Sequence, residues 1–144
     1  MKATIDIRLI KASEILTILP LLSQLGNHKV DQKVLTERIS EMILQNYECA
    51  GIYDGSQLIG CCGLWFQTRH YAGRSIELDH VIINPTYRSQ GIGAQLLDFV
   101  YEYAESKNCN WVELNTYVDN FPSHKFYNNH GFVAKGYHFV KILK

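Results

Sequence analysis

The sequence predicts a mixed α/β fold in a single domain, residues 1–144, and three observations carry that expectation. Ile5, Ile7 and Leu9 alternate with Thr4, Asp6 and Arg8, the pattern of a half-buried strand. Asp54-Gly55 stands between two apolar runs and supplies the left-handed positions of a tight hairpin turn. From position 75 to 116 a strand, a helix and another strand follow in turn, so part of the sheet is parallel and helices cover both faces. No repeat, low-complexity tract or Pro/Gly/Ser linker divides the 144 residues, a length at which one core buries roughly 70% of the unfolded chain's surface.

After the first strand (4–9), Ser13 offers an N-cap to an apolar stripe of Ile15, Leu16, Ile18, Leu19, Leu22 and Leu25 that Gly26 closes. Pro20 lies inside that helix and is expected to kink or divide it. A second helix, 31–45, presents Val34, Leu35, Ile39, Met42 and Ile43. Strands 47–53 and 58–66 make the hairpin, and 67–73 reads as a polar and aromatic loop. Strand 75–83 stops at Asn84-Pro85, since proline has no amide for the ladder. Helix 92–106 turns Ile92, Leu96, Phe99, Val100 and Tyr103 to one side. Strand 111–116, a short helix 122–129, and two strand segments around Gly136 in 132–144 complete the order.

Lys+Arg number 14 and Asp+Glu 14, a balance that argues against a nucleic-acid or anionic-membrane partner held by bulk charge. No run approaches the roughly 18 apolar residues of a membrane span. Asp6 falls where a signal peptide needs its apolar stretch, so a cytoplasmic location is expected. Of Cys49, Cys61, Cys62 and Cys109, none forms a CxxC pair, and adjacent Cys61 and Cys62 point to opposite faces of a strand. All four read as reduced thiols, mostly buried, with no metal site.

The chemistry concentrates where strand 75–83 meets helix 92–106. Arg88-Ser89-Gln90-Gly91-Ile92-Gly93 opens that helix, and glycines there let an anion approach unpaired amides at the positive end of the helix dipole. Arg88 adds a charge within reach. A GxGxxG fingerprint fails at Leu96, and no Gly-Lys-Ser/Thr follows, so dinucleotide and nucleoside triphosphate readings drop out.

The run Val81 to Ala94 resembles motif A of the GCN5-related N-acetyltransferases, whose signature is Arg/Gln-x-x-Gly-x-Gly/Ala. Downstream, Asn120-Phe121-Pro122-Ser123-His124-Lys125-Phe126-Tyr127 followed by Gly131-Phe132 is similar to that family's motif B. The likeness covers nearly the whole chain. It implies the family's acyl-CoA N-acyltransferase fold, a central mixed sheet of about six or seven strands with about four helices. It also implies acetyl-CoA as donor, its diphosphate on the amides of Ser89, Gln90, Gly91, Ile92, Gly93 and Ala94 with Arg88 near. The pantetheine would pair like an added strand with the backbone of Val81, Ile82 and Ile83, and Asn120 would contact the same arm. The Val81 N–H would be the oxyanion donor. A homodimer is a further implication, with the alternating segment 137–144 as one available edge.

Transfer of acetyl to an amine needs a base, an oxyanion donor and an acid for the departing thiolate. Tyr127, the motif B tyrosine, is the candidate acid. Glu77, 11 residues before Arg88, is the candidate base, since a carboxylate on a strand otherwise covered on both faces needs a wet cleft or a partner. Asp79 shares its parity and is a candidate for binding a cationic substrate. His80 faces the other way on a regular strand and reads as a satisfied sheet histidine, unless a bulge redirects it. Trp65, Phe66, His70, Tyr71 and His28 are candidates for the acceptor pocket.

Within the family, the strand 60–65, the aromatic/His loop, Glu77 and the Tyr137-His138-Phe139 tail are loosely similar to aminoalkylphosphonate and small-amine acetyltransferases. A phosphonate acceptor would need cations, for which Arg69, Arg74 and Lys125 are available. The carboxylates Glu77 and Asp79 point instead to a cationic small-molecule amine. The alternatives are a protein lysine or N-terminal acetyltransferase and a non-catalytic acyl-CoA-binding module.

Overall fold

The computed structural model describes residues 4–25 and 29–144. Strands β1 (Ile5–Leu9), β2 (Tyr47–Asp54), β3 (Gln57–Arg69), β4 (Gly73–Ile83) and β5 (Trp111–Leu114) form one sheet in that spatial order. β1 to β4 are antiparallel neighbours, and β5 runs parallel to β4. A parallel pair needs a crossover, which α3 (Ile92–Ser106) supplies. α1 (Leu19–Leu22), α2 (Gln32–Met42) and α4 (Phe121–Asn129) complete the helices among the described residues.

Strand parity divides the core. On one face Ala50, Ile52, Ile59, Cys62, Leu64, Ile76 and Leu78 pack under Ile92, Leu96, Leu97, Val100 and Ala104 of α3. On the other, Tyr47, Cys49, Cys61 and Ile82 lie beneath Ile15, Ile18, Leu21 and Ile39. Each such aliphatic side chain contributes about 1.5–3 kcal/mol by leaving water, so both layers hold the sheet firmly. No helix among the described residues is long and apolar enough to cross a membrane.

Pro20 does divide the first helical stretch. Residues Ala12–Ile18 form a 3-10 helix, and Pro20 sits in the first turn of α1, where a missing amide costs no helical bond. Ser13 lies inside that 3-10 helix, whose cap position is Lys11 without a side-chain bond. The expected loop 67–73 is shorter. Gln67, Thr68 and Arg69 pair with Ser75, Arg74 and Gly73, so β3 and β4 both extend to a tight turn.

The largest departure is at the C-terminus. The expected strands in 132–144 do not form, and the sheet has five strands among the described residues instead of six or seven. Phe132 still packs on Tyr127, ring centroids 5.4 Å apart. Beyond it every residue is exposed, including Tyr137 at 88% and Phe139 at 91%. An alternating segment gains a strand only where a ladder satisfies its amides, and this one pairs with no strand among the described residues.

Candidate active site

After β4 the chain turns through Pro85–Tyr87, a single 3-10 turn. The Asn84 carboxamide accepts from the Thr86 amide at 3.0 Å, and the Tyr87 hydroxyl donates to Asp54 on β2 at 2.5 Å, tying this turn to the neighbouring hairpin. Ser89 (φ 62°) and Gly91 (φ 74°) are both left-handed, the kind of backbone from which anion-binding nests are built. The first helical bond runs from the Gln95 amide to the Gly91 carbonyl at 3.2 Å. The amides from Ser89 through Ala94 therefore have no acceptor among the described residues, and Arg88 beside them is exposed. Such a cradle can hold a multiply charged anion.

The strand leading to it is irregular in a useful way. Gly63 pairs with Asp79 but Cys61 pairs with Ile82, so β4 carries an extra residue opposite Cys62. His80 takes φ 33° at this bulge. On the far side of β4 the ladder to β5 covers only Ser75–Leu78 against Trp111–Leu114. From Asp79 to Ile83 that edge of β4 faces no strand among the described residues, leaving main-chain groups open to an extended ligand.

Groups of opposite kind flank this edge on the two faces of the sheet. On the α3 face, Phe126 of α4 lies where a side chain on Gly93 would be, 2.9 Å from an ideal Cβ, which docks α4 on the start of α3. The next residue, Tyr127, packs against the core beside Cys62, level with the bulge. Burial, then the neighbouring Cys62 and Tyr101, push its phenol up to about 12. Among the described residues nothing hydrogen-bonds to its hydroxyl. Asn120, the N-cap of α4, accepts from the Ser123 amide at 3.3 Å through its carbonyl oxygen, and its amide group has no acceptor among the described residues.

On the opposite face Glu77 accepts from Gln67 at 2.9 Å on one oxygen and from Asn115 at 2.9 Å on the other, with Arg69 at 3.7 Å. Arg69 belongs mainly to Glu113, at 2.6 Å. Asp79 is exposed and takes the Trp65 indole N–H at 3.0 Å. The bulge turns His80 onto this face too, where its Nε2 lies 2.6 Å from the Tyr47 hydroxyl. The regular-strand expectation for His80 is corrected here. Burial lowers its imidazole below the ordinary value and keeps it neutral.

The acetyltransferase (GNAT) family profile matches residues 18–132, most of the chain. The chain belongs to this family. An aminoalkylphosphonate N-acetyltransferase of Salmonella typhimurium is 30% identical over 88 residues, 60% of this chain and 57% of that protein. An uncharacterized N-acetyltransferase, YhdJ of Bacillus subtilis, is 23% identical over 124 residues, 85% of this chain and 87% of its own. The structure of AAC(6')-Iy in complex with a bisubstrate analog, CoA-S-monomethyl-acetylneamine, superposes with a TM-score of 0.81 at 18% identity over 99% of both chains.

As a GNAT chain, the protein brings only part of the expected acceptor set together. Trp65 stands with Glu77 and Asp79. Phe66 leaves the set, because its neighbour's parity sends it to the α3 face, where its ring meets Tyr103 edge-on at 6.1 Å. His70 and Tyr71 also leave it. They sit at the turn that begins β4, with Tyr71 against Trp111 at 5.9 Å, roughly 20 Å along the strand from the bulge. His28 lies outside the described residues. Sequence reasoning missed Tyr47, Gln67 and Asn115 as neighbours of these groups, and offered Arg69 only as a cation for a phosphonate. Only strand register brings them in, and no local spacing announces it.

Proposed function

We propose that this GNAT domain transfers the acetyl group of acetyl-CoA to the primary amine of a small cationic molecule, by direct attack. The observation that carries the reading is the run of bare amides from Ser89 through Ala94, continuous with the open edge of β4. A diphosphate suits those amides and Arg88, and the amides of a pantetheine arm suit Val81 to Ile83. Bound acetyl-CoA supplies an activated acyl thioester. The chain's own residues do the rest: the Val81 N–H faces the developing oxyanion, Tyr127 donates a hydrogen bond from the α3 face, and Glu77 draws the amine proton from the other.

Glu77 already accepts two side-chain hydrogen bonds, so ordered water is its route to the ammonium. Glu77→Gln is expected to lower kcat by about 100-fold. Glu113→Gln, which removes only the main partner of Arg69, should cost far less. Equal losses in steady-state assays would make Glu77 a member of an ion-pair network instead of the base.

Carboxylates and an indole at the acceptor side favour a cationic amine. A phosphonate is disfavoured, because Arg69 is engaged by Glu113 and Arg74 donates to the Lys107 carbonyl at 2.9 Å, at the far end of α3. The deciding experiment is thiol release from acetyl-CoA with panels of small polyamines and of peptides. Release with the polyamines is expected. Release with peptides alone would transfer the reading to a protein acetyltransferase, and tight cofactor binding with no release would make the domain a binding module.

The four free thiols suit a reducing, cytoplasmic setting. The exposed C-terminal segment suits a homodimer in which one protomer's segment covers its partner's β5 edge, hiding Tyr137, Phe139, Ile142 and Leu143. Sedimentation should give a dimer, and deletion of residues 137–144 a monomer. A monomeric full-length protein would reject the arrangement.

A further inference from the structure

Three strands bring two thiols and an imidazole together beneath the bulge, and we infer that Cys49, Cys61 and His80 form a binding site for one Zn2+ ion. Their donor atoms all lie within 4.8 Å of one another. Cys61 Sγ is 3.6 Å from His80 Nδ1. That equals the sulfur–nitrogen edge of a tetrahedral zinc site, about 3.6 Å from bond lengths of about 2.3 and 2.05 Å. Both thiols are essentially buried, at 1% and 0% exposure.

The imidazole is held for this role from three directions. Its Nε2 meets the Tyr47 hydroxyl at 2.6 Å, the outer-shell bond that fixes the tautomer of metal-binding histidines and leaves the Nδ1 lone pair free. Its ring occupies the space a Cβ on Gly63 would need, 2.4 Å from Nε2. Its left-handed backbone, costly for a non-glycine residue, turns it toward the thiols. Asp79, whose negative charge is felt at Tyr47, Cys49 and Cys61, draws a cation toward the cluster. A cavity of ≈ 70 Å³ is lined in part by Tyr47 and Cys49.

The binding step balances as Zn2+ plus two thiols giving two Zn–S bonds and one Zn–N bond, with two protons released to solvent. One coordination position is left for water. Two thiolates and one imidazole favour zinc over the hard cations that prefer oxygen donors. Occupancy pins the His80 ring and with it the bulge that presents Val81. Its consequence for turnover rests on the acetyl-transfer reading, but binding itself does not.

The test uses reduced full-length protein without acyl donor or amine. Co2+ is expected to bind 1:1 with a thiolate-to-cobalt charge-transfer band and release of two protons per ion, and Zn2+ to displace it with no further proton release. Cys49→Ala and Cys61→Ala should abolish the band. Tyr47→Phe should weaken Zn2+ about 10-fold, while Cys109→Ala leaves it unchanged. Absence of the band in the wild-type protein, or binding that survives both cysteine substitutions, would overturn the site, leaving two thiols and an imidazole that bond only to one another. The wild-type spectrum decides even if a cysteine variant fails to fold.

Discussion

Tyr127→Phe is expected to lower kcat by about 100-fold, within the usual range for a lost proton donor, with acetyl-CoA affinity changed less than about twofold. The substitution keeps the ring that packs on Phe126 at 5.2 Å and on Phe132 at 5.4 Å. It removes a hydroxyl with no protein partner among the described residues, so the fold has little to lose. A fall in kcat with an unchanged melting temperature is therefore the specific expectation. Turnover near that of the wild type would end the residue's assignment.

The elevated phenol refines the role proposed for Tyr127. Held up at about 12 against an ordinary value of 10.0, it is a weaker acid than a thiol near 8.5. Complete proton transfer to the departing thiolate would run uphill. The act proposed for it is therefore a hydrogen bond that strengthens as charge develops on sulfur, with solvent supplying the proton afterwards. The raised value also bears on stability. The fold favours the neutral phenol, so its contribution is fully present below pH 10 and is lost as pH rises toward about 12. Tyr127 should add no alkaline limb to turnover below that range.

Much of the scaffold was legible because local signals and tertiary packing agree. Helix α3 runs over the predicted Ile92–Ser106 because Gly91 takes the left-handed turn before it and its apolar stripe matches the face it buries. Pro20 divides the first helical stretch for the steric reason its ring dictates. The turn before α3 leaves the amides from Ser89 through Ala94 without acceptors among the described residues, as glycines there allow. What escaped depends on register. The end of β3 looked like a loop because Gln67, Thr68 and Arg69 are polar, yet their amides pair with β4. Parity, applied to Cys61 and Cys62, would also have separated Trp65 from Phe66. A bulge leaves no such trace, and without it neither the direction of His80 nor its meeting with Cys49 and Cys61 can be derived. Residues 132–144 have the alternation of a strand, but alternation says nothing about which edge, or whose, completes the ladder.

Gly63→Ala tests whether that bulge is what shapes the site. An ideal Cβ at position 63 would stand 2.4 Å from His80 Nε2, 2.8 Å from its Cδ2 and 3.0 Å from a ring carbon of Tyr47. Both rings are confined, Tyr47 by Trp65 at 4.9 Å and His80 by Cys61, so neither gives way cheaply. The methyl group must expel the imidazole, break its bond to Tyr47 and relax the left-handed backbone at residue 80. Overpacking of this kind costs about 1–3 kcal/mol, which should appear as a melting temperature several degrees lower. The larger effect falls on turnover. Val81, the proposed oxyanion donor, follows the displaced residue directly, and a donor moved from its place loses about 100-fold or more in kcat. Gly136→Ala is the control, since nothing lies within 4 Å of its added carbon. If Gly63→Ala melts early yet retains full kcat, position 63 serves packing alone. If both properties fall together and Gly136→Ala changes neither, the small residue on β3 is there to let β4 bend.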